Sequence, residues 1–464
     1  MILDTDFDIT ENSMDEFLRI LVPEARGRDI KIRTIEEGEN ISLLVETNGV
    51  KKKFTYKNHI ERIDDQKIVM AKTSLLDIYD KDYPWGSLKG VRPTKLVRRL
   101  LALNYDYPEI KDILEGLFKV SEKKSSLIIE VVKKEMEYLN RDYINMYIGI
   151  PFCPTKCRYC SFASYEINSG VGRHYKAFVD TLIEEIKLTG EHLKENGYKL
   201  GSVYVGGGTP SILTETDIER VLASVKNNVD LSSVKEFTFE AGRVDTLTKK
   251  KLEIMKDYGV DRISLNPQTF NEETLKNLNR TFSREKFDEM YFLAKNMGFI
   301  INMDLIIGLP GEGTKEILNT VRELEKYQME NLTVHVLALK KASVLFKDGH
   351  QEEDIDREAV EKGIEDLTQK KSLKPYYMYR LKNSTQWGEN LGYAIEGKES
   401  VFNIEMIEEN QSTIGLGGGA ITKKISAESP VRDHIDRLVG PKEPATYVRE
   451  MRERLKKKLD LFKK

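Results

Sequence analysis

"GIPFCPTKCRYCSF", Gly149–Phe162, holds all three cysteines of a 464-residue chain: Cys153, Cys157 and Cys160. Three closely spaced thiols make a poor disulfide framework, which wants an even count and separated positions. The spacing Cys-x3-Cys-x2-Cys instead sets three thiolates on one tight loop, within reach of three irons of a cubane iron–sulfur cluster. Ordinary clusters of that kind take four cysteines, and this chain has no fourth. One iron is left for a ligand from outside the protein, and an open coordination position marks a reactive metal centre. Zinc fits less well, because structural zinc takes four protein ligands and none of the six histidines lies in the loop. His174, the nearest, reads as a surface residue.

Working outward, the loop directly follows an apolar run, "INMYIGI". Further strand candidates are "SVYVGG", "EFTFEA", "RISLNPQ", "INMDLIIGL" and "LTVHVLAL", separated by helical stretches such as "HYKAFVDTLIEEIKLTGEHLKEN". Strands alternating with amphipathic helices predict an α/β fold: a parallel sheet of six βα units, closed or nearly closed into a barrel. Chemistry in such folds sits at the C-terminal ends of the strands, which is where the cysteine loop falls. Residues 1–80 mix short strands with charged turns and predict a small α+β module. Residues 81–140 read as a helical connector, 141–345 as the partial barrel, and 346–464 as an α+β C-terminal region completing the substrate site.

The totals exclude several classes. Lys+Arg is 73 against 76 Asp+Glu, a net charge of -3, which gives no support for nucleic-acid binding. No apolar run approaches the roughly 18 residues of a membrane span. The N-terminus, "MILDTDFDITENSMDEF", lacks the basic-then-apolar layout of a signal peptide, so a cytoplasmic location is expected.

Each strand end offers a chemical group. "YVGGGTP" supplies Gly206, Gly207, Gly208 and Thr209, and "FTFEAGR" supplies Glu240. "RISLNPQTF" places Gln268 at the end of the fourth strand, with Arg280 twelve residues on. "INMDLIIGLPGE" supplies Asp304, and "VHVLALK" supplies Ala338. "GLGGGA", Gly415–Ala420, lacks the following βαβ unit of a dinucleotide fingerprint and reads as a close backbone approach to a ligand.

The cysteine loop after a first strand, with Tyr159 beside the last cysteine, resembles the radical S-adenosylmethionine (SAM) superfamily. The set "YIGIPFCPTKCRYCSF", "YVGGGTP", "EFTFEAG", "RISLNPQTF", "LNR", "DLIIGLPGE" and "IGLGGGA" resembles, more narrowly, the oxygen-independent coproporphyrinogen III oxidase group, in particular its HemZ-type branch. The resemblance spans roughly Tyr147 to Thr422. It implies a radical SAM partial (β/α)6 barrel with a [4Fe-4S] cluster on Cys153, Cys157 and Cys160, and one or two SAM molecules. Tyr147, Phe152, Gly207, Gly208, Thr209, Glu240, Gln268, Arg280, Asp304, Ala338 and Ile421 would be cofactor contacts, with Tyr147 and Arg280 the catalytic residues. Two places depart from the group: Gly149 stands where it has a histidine, and Phe162 where it has a further cysteine.

The activity so implied is oxidative decarboxylation of coproporphyrinogen III propionates to vinyl groups, with an electron donor such as flavodoxin or ferredoxin. The resemblance leaves room for a haem-binding or haem-transfer protein of the same fold, and for a methyltransferase that opens haem anaerobically. Propionates ask for basic partners and a macrocycle for aromatic walls. Candidates for the first are Arg92, Lys95, Arg158, Arg380 and Lys382, with Arg92 and Arg380 foremost; for the second, Phe152, Tyr376, Tyr377 and Tyr379.

Overall fold

The computed structural model describes residues 2–59, 63, 65–349, 353–381, 388–429 and 432–463. The chain divides into two units, Met1–Lys134 with Met378–Asn390, and Glu135–Tyr377 with Leu391–Lys464.

In the first unit, Leu3–Thr5, Ile30–Glu37, Asn40–Thr47 and Val50–Lys57 form a four-stranded sheet in that order. The Asn48–Gly49 turn takes positive φ at both residues (50° and 76°), as a tight two-residue hairpin requires. Ile30, Ile32, Ile41, Leu43 and Val45 are buried by period-two alternation. Helices Glu11–Leu21 and Gln66–Ile78 contribute Met14, Phe17, Met70 and Leu75 to the same core. Short helices follow, Pro93–Ala102 and Tyr107–Asp112, the latter opened by a reciprocal cap between Asp106 and Glu109.

The second unit carries six parallel strands: Ile144–Ile150, Leu200–Gly207, Glu236–Phe239, Arg262–Ser264, Ile300–Ile307 and Asn331–Val336. They lie side by side in chain order, with helices in every connection. Within the larger sheet this (β/α)6 ladder stays open rather than closing. Beyond the first strand the sheet continues through Thr413–Gly417, parallel to it, and then the hairpin Ile421–Ser429 and Arg432–Val439. Beyond the sixth it continues through Glu389–Ala394, antiparallel.

The strands are not apolar on both faces. Met146, Ile148, Val203, Val205, Phe237, Phe239, Ile301 and Met303 are buried on one side. The alternate positions are polar: Asn145 and Tyr147, Ser202 and Tyr204, Thr238 and Glu240, Ser264 and Asn266, Asn302 and Asp304, Thr333 and His335. Successive side chains of a strand point to opposite faces, so each strand presents one apolar and one polar row. The polar row of the first strand leads into the cysteine loop.

The fourth strand is shorter than "RISLNPQ" predicts. It stops at Ser264, because Pro267 has no N–H to continue the ladder. Gln268 therefore does not end that strand. It re-enters the sheet as a single bridge to Leu305 with a left-handed backbone (φ 65°).

Candidate cofactor site at the strand ends

Register builds the site. Gly149 of the first strand pairs with Gly206 of the second on one side and Gly417 on the other, so three residues without side chains stand in a row. A Cβ on Gly206 would lie 2.8 Å from Glu240 Oε2. A Cβ on Gly208 would lie 2.6 Å from the Phe152 carbonyl and 2.9 Å from Cys153 Sγ. Gly207 has φ +115°, a conformation open to glycine alone among ordinary residues. The turn is pinned to the cysteine loop by Gly208 N–H donating to Ile150 O (2.7 Å) and Thr209 N–H donating to Phe152 O (2.8 Å). The Thr209 hydroxyl also donates to Cys153 Sγ, at 3.4 Å.

All three cysteines are free thiols, two of them buried. Burial pushes the Cys153 and Cys160 thiols up from their ordinary range, so holding them as thiolates calls for a compensating cation. Among the described residues no group of three or more His, Cys, Asp or Glu stands already gathered round a metal position. The backbone carrying the thiols is nevertheless fixed from several sides. Arg158 N–H donates to Leu278 O (3.0 Å), the Thr155 hydroxyl to Asn279 O (2.7 Å), and Arg243 Nη1 to Thr155 Oγ1 (2.8 Å). Arg280 is buried, and its Nη2 donates to the carbonyls of Gly242 (2.7 Å) and Asn266 (2.6 Å) while its charge lies near Tyr159 and Cys157.

Next to this loop lies an acidic patch. The Tyr204 hydroxyl donates to Glu240 Oε1 at 2.6 Å and Gly207 N–H to Oε2 at 3.2 Å. Burial, reinforced by Asp304, nevertheless holds the Glu240 carboxyl up at about 7. Asp304 is gripped on both oxygens, by Asn266 Nδ2 (2.7 Å) and Asn302 Nδ2 (3.1 Å), with His335 Nε2 3.8 Å away. Among the described residues, neither carboxylate has a lysine or arginine within ion-pair distance. Four buried acceptors nearby have no hydrogen-bond partner among the described residues: Ser264 Oγ, Asn266 Oδ1, Gln268 Oε1 and Asn302 Oδ1. A buried acceptor left unmet costs about 1–3 kcal/mol. Two carboxylates and four unmet acceptors fit a cationic ligand rich in N–H and O–H groups, which is what SAM presents with its sulfonium, ammonium and ribose hydroxyls. Tyr147, Tyr204 and Phe402 form one wall, Tyr204 and Phe402 stacked at 4.2 Å between ring centres.

The sequence candidates thus fall into groups. Cys153, Cys157, Cys160, Gly207, Gly208, Thr209, Glu240 and Arg280 are joined by the contacts above, as are Gln268 and Asp304 by Gln268 N–H donating to Asp304 O (3.0 Å). Tyr147 stands on the same polar face. Ala338 lies two residues past the sixth strand, and Ile421 opens the hairpin beyond the glycine loop, 40% exposed. The Phe152 ring is a correction: it is fully buried against Tyr175 and Phe178, so it packs the core, and only its backbone reaches the glycine turn.

Arg380 is a second correction. It belongs to the first unit, is 5% exposed, lies over the Trp85 ring at 4.3 Å and donates to the Leu88 carbonyl. Burial lowers its pKa to about 10. Its charge is spent on packing rather than held out for a propionate. Arg92 lines a cavity of about 160 Å³ in the same unit, beside Asp65, Leu96 and Arg99. Tyr376 and Tyr377 are buried, and Lys382 lies outside the described residues. Asn266, Asn302, Tyr204 and Phe402 escaped the sequence reading. Tyr204 and Asn302 share a strand face, two residues apart, with Gly206 and Asp304, which is the signal that would have found them.

A model of the radical SAM superfamily matches residues 147–324. The chain is 39% identical over 373 residues to the oxygen-independent coproporphyrinogen-III oxidase-like protein HemZ of Bacillus subtilis, covering 78% of this chain and 74% of that protein. It is 31% identical over 276 residues to the heme chaperone HemW of Lactococcus lactis, covering 59% and 68%. The crystal structure of coproporphyrinogen III oxidase (HemN) from Escherichia coli superposes with a TM-score of 0.53 at 18% identity, over 73% of this chain and 74% of that one, a likeness of fold. The fold and the three-cysteine loop are those of a radical SAM protein. Within that superfamily, the chain belongs to the HemZ-like family of oxygen-independent coproporphyrinogen-III oxidase-like proteins. Its cofactors are those of the superfamily, a [4Fe-4S] cluster and SAM. No helix among the described residues is long and apolar enough to cross a membrane.

Proposed function

We propose that this protein converts propionate side chains of coproporphyrinogen III to vinyl groups by SAM-dependent oxidative decarboxylation, with an external electron donor. The observation that carries this reading is the acidic, acceptor-rich patch of Glu240, Asp304, Gln268 and the two asparagines beside a loop offering only three thiolates. Similarity along 74% of the HemZ protein supports the tetrapyrrole substrate.

The residues divide the work. Cys153, Cys157 and Cys160 would hold the iron–sulfur cluster, with SAM bound beside it. Glu240 and Asp304 balance the cofactor's positive charge, and the Gly206–Gly208 turn lets backbone approach it without a side chain between. The Tyr147–Tyr204–Phe402 wall excludes water. Arg280 fixes the loops after the third and fourth strands against Cys157. When bound, the cluster and SAM would supply the one-electron chemistry that removes a hydrogen atom from the substrate. That hydrogen leaves the propionate β-carbon, carbon dioxide and one electron follow, and a vinyl remains. Two vinyls consume two SAM, and the two released electrons pass to an external acceptor.

The test uses anaerobically reconstituted protein with SAM, dithionite, an electron acceptor and coproporphyrinogen III, with products read by mass spectrometry. Loss of two carbon dioxide units, matched by two 5′-deoxyadenosines per porphyrin, is expected. SAM cleavage with the porphyrinogen unchanged sinks the reading. A second reading, haem binding and transfer, draws on Phe162 at the place of the group's further cysteine and on the similarity to HemW. It predicts stable haem binding and no vinyl product.

A further inference from the structure

Arg380 is buried over the Trp85 ring and donates to the Leu88 carbonyl, so the substrate's carboxylates call for other partners. The loop after the sixth strand carries three. Lys340, Lys341 and Lys347 are exposed, and none has an ion-pair partner among the described residues. Between them stand Val344 and Phe346, large apolar side chains 39% and 45% exposed. Bare apolar groups flanked by unpaired like charges stabilise nothing in the folded chain itself, and such patches mark binding surfaces.

This loop is fastened to the cluster loop. Leu345 N–H donates to Arg158 O at 3.1 Å, and Arg158 Nη2 donates to Asp348 Oδ2 at 2.7 Å. That pair consumes the acid next to Lys347, which leaves the three lysines in excess. Leu345 is buried with Leu278, Ile306 and Leu309, against which Tyr159 packs. The backbone is therefore anchored while the lysines and Phe346 stay outside. Phe162, on the cluster loop, is also exposed, at 68%.

We infer that this loop is the carboxylate-binding element for a tetrapyrrole: Lys340, Lys341 and Lys347 take its propionates while Phe346 meets its flat ring. The inference rests on the proposed tetrapyrrole chemistry and adds where that substrate is held. Lysine suits the task, since a flexible stem with a compact charge follows a propionate that itself rotates. The surface is small and cationic, which fits several carboxylates spaced round one ring.

The experiment titrates coproporphyrin III, the oxidised fluorescent ring with the same four propionates, into the anaerobically reconstituted holoprotein. The variant K340E/K341E/K347E is expected to bind it about tenfold or more weakly, since it replaces three exposed cations facing the propionates by acids. Wild-type binding should weaken with salt and for a ring with two propionates, and the variant should lose the salt dependence. SAM affinity and the electron paramagnetic resonance spectrum of the reduced cluster should not change, and K340Q/K341Q/K347Q should fall between. Equal affinity in wild type and the charge-reversed variant overturns the inference and leaves the proposed function standing. Unchanged porphyrin binding with slower cluster reduction by an acidic flavodoxin also overturns it and assigns the loop to the electron donor. A wild type that cleaves SAM but binds no tetrapyrrole overturns the proposed function and this inference together.

Discussion

The Tyr204 hydroxyl donates to the Glu240 carboxylate at 2.6 Å, yet burial and the nearby Asp304 still hold that carboxyl at about 7. The pair is poised for a cation to arrive. An ionised Glu240 costs the free protein stability, and SAM bound at the proposed site would offset that cost. The sign follows. With its folded pKa raised, Glu240 contributes most to the free protein's stability at low pH, and the contribution is lost as pH rises through about 7. SAM favours the ionised form. Its affinity should therefore rise from pH 6 to pH 8, approaching tenfold per pH unit below the pKa. Glu240→Gln should bind weakly at every pH with the slope gone. Calorimetric titration across this range checks it, and an unchanged slope in the variant would remove Glu240 from the cofactor site.

The glycine turn is as tight as the carboxylate pair. A methyl group at Gly208 would meet Cys153 Sγ at 2.9 Å and backbone oxygen at 2.6 Å. Overpacking of this kind costs about 1–3 kcal/mol, but the larger effect should fall on the cluster, because the sulfur displaced is a proposed iron ligand. Gly208→Ala should keep wild-type circular dichroism and lose most of its iron on reconstitution. Full iron content would show that the turn has room the distances deny.

Fold and site were legible to different degrees. Strand–helix alternation and the cysteine loop could be read because they are local patterns. Gln268 was misplaced within its strand because the effect of Pro267 on the ladder outweighed the apolar run that leads up to it. Arg380 looked free because sequence cannot show that Trp85, nearly 300 positions away, lies under its guanidinium. Asn266 and Asn302 read as ordinary polar residues, since an amide declares a role only when the carboxylate it grips is known.

The Arg380–Trp85 contact makes its own prediction. Arg380→Met keeps the apolar bulk, and removes the cation over the ring and the bond to the Leu88 carbonyl. A desolvated cation–π contact is worth up to about 2 kcal/mol. The variant should unfold earlier in urea, with SAM affinity and porphyrin affinity unchanged. A selective loss of porphyrin binding would instead return Arg380 to the substrate.

Glu185 and Lys458 tie the C-terminal helix, Pro444–Leu461, to the glycine loop. Both are buried. Lys458 Nζ donates to Glu185 Oε1 and to Gly415 O, each at 2.5 Å, while Gly417 N–H (2.8 Å) and the Tyr447 hydroxyl (2.6 Å) donate to Glu185 Oε2. Lys458→Met should destabilise the protein by about 3–5 kcal/mol, because it strands a buried carboxylate. Glu185→Gln/Lys458→Met removes both charges and should recover much of that loss. Gly417 lies against Gly149, beside the cysteine loop. The single variant should therefore also reconstitute its cluster poorly at temperatures where it is still folded. Urea unfolding paired with iron content separates the two effects. Full iron in a destabilised variant would confine this pair to stability.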